Sequence, residues 1–194
     1  EQPHLDPGRQ KPVPQPLAGG VDEQRIVPFR QDQRDPHAVL RHRRLVAQRG
    51  EVLADLQELL YANGRAGDHR SVLLVLQGMD TAGKGGIVRH VGGMMDPQGL
   101  SIKGFGKPTK EELQHDFLWR IHRALPPAGR IGIFDRSHYE DVLPVRVHDL
   151  VPQSVWEKRY DLINQFESEL VAGGTTVVKC CLVVSKDEQK SRLA

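Results

Sequence analysis

The stretch that most constrains this chain is residues 72–91, VLLVLQGMDTAGKGGIVRHV, where an apolar run meets a glycine-rich turn that opens into a helical pattern. Residues 72–76 read as a strand buried on both faces. Gly78, Gly83 and Lys84 then fit the G-x-x-x-x-G-K core of a phosphate-binding loop. Such a loop works because consecutive backbone N–H groups converge on a phosphate while a helix N-terminus faces it. Glycine lets the backbone come close, and the lysine adds a mobile point charge. On this reading Gly78, Met79, Thr81, Ala82, Gly83, Gly85 and Gly86 form the cradle, Lys84 supplies the charge, and Arg89 follows in the helix. Gly85 stands where the usual motif has a Ser or Thr that touches magnesium, and the carboxylate of Asp80 inside the loop is the nearest replacement. Glycine is common here, at 19 of 194 residues, so the spacing alone leaves an ordinary glycine-rich strand-to-helix turn open. The strand before it and the helix start after it favour phosphate.

Length and composition suit one domain with a sizeable core, 38% of residues being apolar. No apolar run reaches the length of a membrane span and the start carries no secretory pattern, so a cytoplasmic protein is expected. The 27 basic and 25 acidic residues nearly cancel, and aromatics are only 5%, which argues against a nucleic-acid partner. Cys180 and Cys181 are adjacent within an apolar run and read as core or near-core thiols. Neighbours on a strand point to opposite faces and bridge poorly, and no ligand spacing suggests zinc.

Residues 1–34 are rich in Pro, Gly and charge and read as an extended arm. The chain begins with Glu1 rather than Met, so the true start is expected to lie before it, trimmed or not included. Asp35 and Pro36 open a helix to about residue 62, with Leu45, Val52, Leu56, Leu59 and Leu60 as its apolar stripe and Asn63 and Gly64 as its stop. Arg41, Arg43 and Arg44 lie on the wetter turns and read as a solvated face, with a phosphate track or a subunit contact as alternatives. A helix over 84–95 and a short strand over 101–105 follow. Thr109 and Glu112 form a capping box, which predicts a helix whose inner face is Leu113, Phe117, Ile121 and Leu125, ended by Pro126 and Pro127. Asp116 and Arg120 would share a face of it, and a surface ion pair is their plain alternative to a site role. His115 and Trp119 could line a pocket or simply pack.

Residues 131–134 form the second strand that matters, because it ends in Asp135. In an open parallel sheet ligands sit beyond the C-terminal strand ends, so this carboxylate could face the glycine loop through magnesium, or merely cap the next segment. Arg136 follows, where a guanidinium could neutralise phosphate or pair with Glu140 or Asp141. Ser137, His138 and Asp141 are near-consecutive loop residues without a nucleophile elbow, which excludes a serine hydrolase. Ser154 and Glu157 form a second capping box before a long helix carrying Tyr160, Ile163, Phe166 and Leu170, closed by Gly173 and Gly174. Residues 175–184 read as another buried strand, and Ser185 with Glu188 starts a last helix that reaches Ala194 after barely two turns. An incomplete domain is expected from that ending. The pattern as a whole predicts an α/β fold: a three-layer sandwich of the P-loop kinase type, with a parallel sheet and a helical N-terminal extension.

These motifs in this order resemble the polyphosphate kinase 2 family. The residues that carry the resemblance are QGMDTAGKGG at 77–86, DPQG at 96–99, PTKEE at 108–112, HDFLWR at 115–120 and IFDRSHYEDVLPVRVH at 133–148. It covers residues 36–194. The resemblance implies magnesium-dependent phosphoryl transfer between inorganic polyphosphate and adenine nucleotides by a homodimer or homotetramer. HDFLWR is similar to the subgroup that phosphorylates both AMP and ADP. By position, Asp80 resembles the family's acidic loop residue, Lys84 its phosphate-binding lysine, Asp116 an acidic position near the acceptor, and Asp135 with Arg136 the strand-end metal and phosphate pair. Two departures stand out. Gly106 follows Phe105 where relatives often carry a basic residue, with Lys107 only afterwards, and the family's C-terminal lid does not follow Ala194. Residues 35–194 are therefore expected to be a phosphotransferase domain lacking its lid, with an ATP-dependent nucleotide or nucleoside kinase and a non-catalytic phosphate-binding assembly subunit as alternatives.

Overall fold

The structure, a computed structural model, describes residues 36–193; the expected N-terminal arm and the Asp35 cap lie outside the described residues. In chain order the elements are α1 (Pro36–Arg65), β1 (Ser71–Gly78), α2 (Lys84–Gly92), β2 (Leu100–Gly104), α3 (Trp119–His122), β3 (Ile131–Asp135), α4 (Leu143–Val147), α5 (Gln153–Ala172), β4 (Thr175–Leu182) and α6 (Lys186–Leu193). The strands pair in parallel in the order β2-β3-β1-β4. Alternation along β1 and β3 sends side chains to two separate cores. On one face Leu73, Val75 and Phe134 pack with Ile121 of α3 and Phe166 of α5. On the other, Leu76, Ile131 and Ile133 pack with Leu53 and Leu60 of α1 and Ile87, Val88 and Val91 of α2. These three layers are the expected α/β sandwich, with a parallel sheet and helices on both faces.

Several local expectations are corrected. The Thr109–Glu112 box does form, since the Thr109 amide donates to Glu112 Oε2 at 2.7 Å and the Glu112 amide to Thr109 Oγ1 at 3.2 Å. It caps only a 3₁₀ turn. His115 is extended, the Asp116 carboxylate takes the Leu118 amide at 2.8 Å, and the helix restarts as the short α3. A side chain that satisfies a nearby backbone donor offers the chain an alternative to continuing the helix. Leu113 is consequently exposed, and only Ile121 of the predicted stripe is fully buried. The Ser154–Glu157 box, by contrast, is not made: α5 starts at Gln153, behind Pro152, without a side-chain cap. α2 ends at Gly92, where two successive glycines favour a turn over helix. Among the described residues β4 pairs with β1 alone and is an edge strand rather than a buried one, so Cys180 is half-buried while Cys181 is exposed.

The largest correction concerns α1. Of the five apolar positions predicted to face the core only Leu60 does; Leu45, Val52, Leu56 and Leu59 are exposed. The inward face is made instead by Gly50, Leu53, Ala54, Gln57, Leu60 and Tyr61, and buried Gln57 accepts the Asp96 amide at 3.0 Å. Small residues are needed because the backbones come close: a Cβ on Gly64 would overlap the backbone of Gly129, and one on Gly129 would overlap Gly64. Gly64→Ala should therefore lower stability by roughly 1–3 kcal/mol through overpacking against backbone that cannot yield. Chemical denaturation checks this, and a midpoint equal to wild type would mean that the helix does not sit this close.

Candidate active site

The sheet register decides which loops meet. Leu76 of β1 pairs with Asp135 of β3, and Gly104 of β2 pairs with the same Asp135, so β2 and β3 end at one level and β1 two residues beyond it. Beyond that level lies an open cavity of about 540 Å3. It is lined by Asp80, Thr81, Gly83, Lys84 and Gly85 from the glycine loop, Gly104, Phe105 and Gly106 after β2, and Asp135 and Arg136 after β3.

The loop is shaped as its glycine pattern requires. Gly83 adopts φ 103°, a left-handed conformation that turns the chain into α2, and no side chain caps that helix. The first amides of α2 at Lys84, Gly85 and Gly86 are thus left to whatever occupies the cavity mouth. Thr81 also has positive φ, and its buried Oγ1 has no hydrogen-bond partner among the described residues. Lys84 is buried and folds back over its own loop, donating to the carbonyl oxygens of Gly78 at 2.7 Å and Met79 at 3.0 Å. Ala82 lies beneath, buried in the loop's base, with its amide bonded to the Met79 carbonyl.

Across the cavity Arg136 pairs with neither Glu140 nor Asp141. Its Nη2 donates to Asp80 Oδ1 at 2.7 Å, tying the end of β3 to the glycine loop. Arg136 sits at φ 65°, where the turn aims its side chain back over the sheet edge, and its amide bonds the Leu76 carbonyl at 2.9 Å. The Asp80 side chain is 80% exposed and that of Arg136 36%, so the pair is worth no more than about 1 kcal/mol and is easily exchanged for a ligand. α6 also reaches the loop, with Arg192 Nη1 donating to the Thr81 carbonyl at 2.9 Å and Gln189 Nε2 to that of Asp80 at 3.3 Å.

The other expected residues fall around this cavity rather than in it. Arg89, Lys107 and Asp116 are exposed outside its lining, and Gly86 lies just beyond its mouth on α2. Arg120 is buried and does not pair with Asp116; it donates to the Gly106 carbonyl and to Asp141 Oδ2, each at 2.9 Å. With Asp116 engaged by the Leu118 amide, Arg120 braces the wall after β2 against the segment after β3. His115 and Trp119 stack on each other at 4.0 Å, with Arg123 over the tryptophan. A side chain at Gly106 would meet nothing within 4 Å, so space does not demand glycine there.

Sequence reasoning missed the braces beneath the site. Gln77 donates to Glu140 Oε1 at 2.6 Å and accepts from Ser137 Oγ at 3.2 Å, which locks the end of β1 to the turn after Arg136. Deeper still, fully buried His138 places Nε2 3.1 Å from Glu167 Oε1 on α5, and the same carboxylate accepts from the Tyr139 hydroxyl at 2.9 Å and from Lys179 at 2.6 Å. No sequence spacing announces these pairs, because they join residues brought together only by the sheet. Burial opposes ionisation of Glu167, yet the hydrogen bonds from His138, Lys179 and Tyr139 outweigh it and hold the carboxyl down at about 2. A carboxyl lowered from its ordinary value of about 4.3 contributes stability that is present above that pH and lost as pH falls through about 2. Glu167→Gln should accordingly lower the melting temperature at pH 7, and the gap to wild type should narrow between about pH 4.5 and 2. Thermal melts across that range check it, and a gap independent of pH would contradict the ionised network.

With this geometry in view, the comparisons are specific. The family model for polyphosphate kinase 2 (PPK2) matches residues 40–194. The chain is 52% identical over 141 residues to an AMP/ADP-polyphosphate phosphotransferase of Meiothermus ruber, covering 73% of this chain and 51% of that protein. It is 46% identical over 180 residues to an ADP-polyphosphate phosphotransferase of Rhodopseudomonas palustris, covering 87% and 59%. The crystal structure of polyphosphate kinase 2 from Arthrobacter aurescens superposes with a TM-score of 0.76 at 56% identity, over 77% of this chain and 53% of that one. The chain thus spans about half the length of the relatives it matches. Long motifs in a shared order, a shared sheet and a phosphate-type loop all lead to the same assignment: the chain belongs to the polyphosphate kinase 2 family.

Proposed function

We propose that the protein is a magnesium-dependent phosphotransferase that moves the terminal phosphoryl group of inorganic polyphosphate to AMP and ADP, giving ADP and ATP. The observation that carries this reading is that two cations, Lys84 and Arg136, and two carboxylates, Asp80 and Asp135, line one cavity from two strand ends. The names of the relatives, an AMP/ADP- and an ADP-polyphosphate phosphotransferase, support the choice of donor and acceptors. Residues 35–194 are the phosphotransferase domain in this reading, with residues 1–34 as an arm. It acts in the cytoplasm as a homodimer or homotetramer. Among the described residues no helix is long and apolar enough to cross a membrane.

The donor set fits magnesium. Asp80 and Asp135 present carboxylate oxygens to one cavity, and a small hard cation that keeps waters and takes substrate phosphate oxygens needs no closed protein cage. Bound there, it would neutralise phosphate charge and align the transferring group. The chain's own residues do the rest. Loop amides and the first amides of α2 hold the donor phosphates, Lys84 leaves its loop carbonyls for a phosphate oxygen, and Arg136 exchanges Asp80 for another. An oxygen of the acceptor's terminal phosphate attacks the terminal phosphorus, the bond to the bridging oxygen breaks, and a polyphosphate shorter by one unit leaves. That attacking oxygen is already anionic, so no general base is needed, and positioning with charge neutralisation supplies the rate. Exposed Asp116, Arg89 and Lys107 serve the approach of nucleotide and polymer.

The test is an assay with magnesium, AMP and long-chain polyphosphate. The protein should form ADP and then ATP. Asp80→Asn, which keeps shape and removes charge, should lose at least about tenfold in turnover. Its melting temperature should change little, since the exposed pair with Arg136 contributes at most about 1 kcal/mol. No nucleotide gain, alongside brisk phosphorylation with ATP as donor, would replace polyphosphate by a nucleotide donor. Phosphate binding without any transfer would make the chain a binding subunit.

A further inference from the structure

The exposed stripe on α1 is the apolar surface that the core does not absorb. Leu45, Val52, Leu56 and Leu59 fall within roughly 60° of helical arc, on the side away from Gly50, Ala54 and Gln57. They are 43%, 57%, 59% and 57% exposed, which is unusual for four aliphatic side chains in one line. The charges beside the stripe are sorted along the helix. Along one flank Arg44 lies before Gly50 and Glu51, Asp55 and Glu58 lie after it, all four exposed, whereas Arg49 is on the other flank and Arg43 on the side opposite the stripe. Glu51 and Asp55 lie one turn apart, so they repel within a single helix and have no basic residue four positions away to offset them.

A helix that is apolar along one line, and along one flank basic before Gly50 and acidic after it, complements a copy of itself running the opposite way. We infer that the α1 stripe is a self-association surface, on which α1 of a second copy packs antiparallel about a two-fold axis near Val52. This rests on the homo-oligomer of the proposed function and assigns its contact. With Val52 meeting Val52 on the axis, Leu45 of one copy lies beside Leu59 of the other. In an antiparallel pair like flanks meet, and Arg44 shares a flank with Asp55 and Glu58. Arg44 is eight residues before Val52 and Glu58 six after it, so Arg44 comes to within about 3 Å of the level of Glu58 on the second copy. A parallel pair would set the basic halves against each other, and like charges facing across an interface oppose association. The same surface patch on both copies gives a closed, isologous contact.

Sedimentation equilibrium on the full chain tests this, with circular dichroism melts to show that each variant folds. Wild type should sediment as a dimer or a multiple of one. Val52→Lys, which places two ammonium groups on the axis, should weaken association at least about tenfold without lowering the melting temperature of the separated chain. Arg44→Glu alone should weaken it about threefold or more, and Arg44→Glu combined with Glu58→Arg should restore it to near wild type, because the swapped pair faces itself across the axis. An oligomer that survives Val52→Lys would overturn this contact while leaving the homo-oligomer standing. A monomeric wild type would overturn both, and if Val52→Lys then lowered its melting temperature, the stripe would belong to a segment of the same chain. Failure of the double charge swap to rescue would reject the antiparallel arrangement.

Discussion

The structure depends on the parallel pairing of β1 with β3 and of β3 with β2. Because Leu76 and Gly104 share the level of Asp135, β2 and β3 leave the sheet there and β1 two residues later, and each delivers its loop to the same edge. Neither the glycine loop nor the Asp135–Arg136 turn is a site alone. The loop provides amides and one cation, and the turn brings a second cation and a carboxylate to face them. A slip of one residue in β3 would send Ile131 and Ile133 to the opposite core and turn Asp135 away from the loop, so the packing that stabilises the sheet also sets the site's geometry.

The same edge is held in a charge-balanced state. Lys84 donates to loop carbonyls and Arg136 to Asp80, so each of the two cations lining the cavity has an oxygen partner. These partners differ in kind from the ones below. The Asp80–Arg136 pair is exposed and exchangeable, whereas the Glu167 network under the turn is largely buried and holds His138, Tyr139 and Lys179 together. A rigid base with labile contacts at the surface suits the proposed function, in which the site would accept a polyanion without reorganising its backbone.

What was legible in the sequence was what is local. The glycine spacing, the apolar run before it and the aspartate at the end of β3 each act through their immediate neighbours, and the structure places them as expected. Some misreadings are local, like the break before α3, and others involve a partner that lies far away in sequence. The Thr109 cap forms, but Asp116 then satisfies a backbone amide and breaks the helix, so Arg120 finds Asp141 and Gly106 instead of Asp116. On α1 the 3.6-residue period was real, yet it marked the outer face. Close approach to Gly129 requires Gly64 on the inner one, Gly50 lies there against Met94, and small residues carry little hydrophobic signal. The edge position of β4, which exposes Cys181, follows from strand order, and no single strand's composition encodes that.

The central claim is that the two strand ends form one phosphate site, with Arg136 leaving Asp80 to bind the ligand. Calorimetric titration of tripolyphosphate into wild type and Arg136→Met, in magnesium buffer at fixed ionic strength, measures this most directly. A guanidinium that contacts phosphate should make the variant bind at least about tenfold more weakly. Equal affinity in the two proteins would show that Arg136 only braces the loop, and would contradict the shared site.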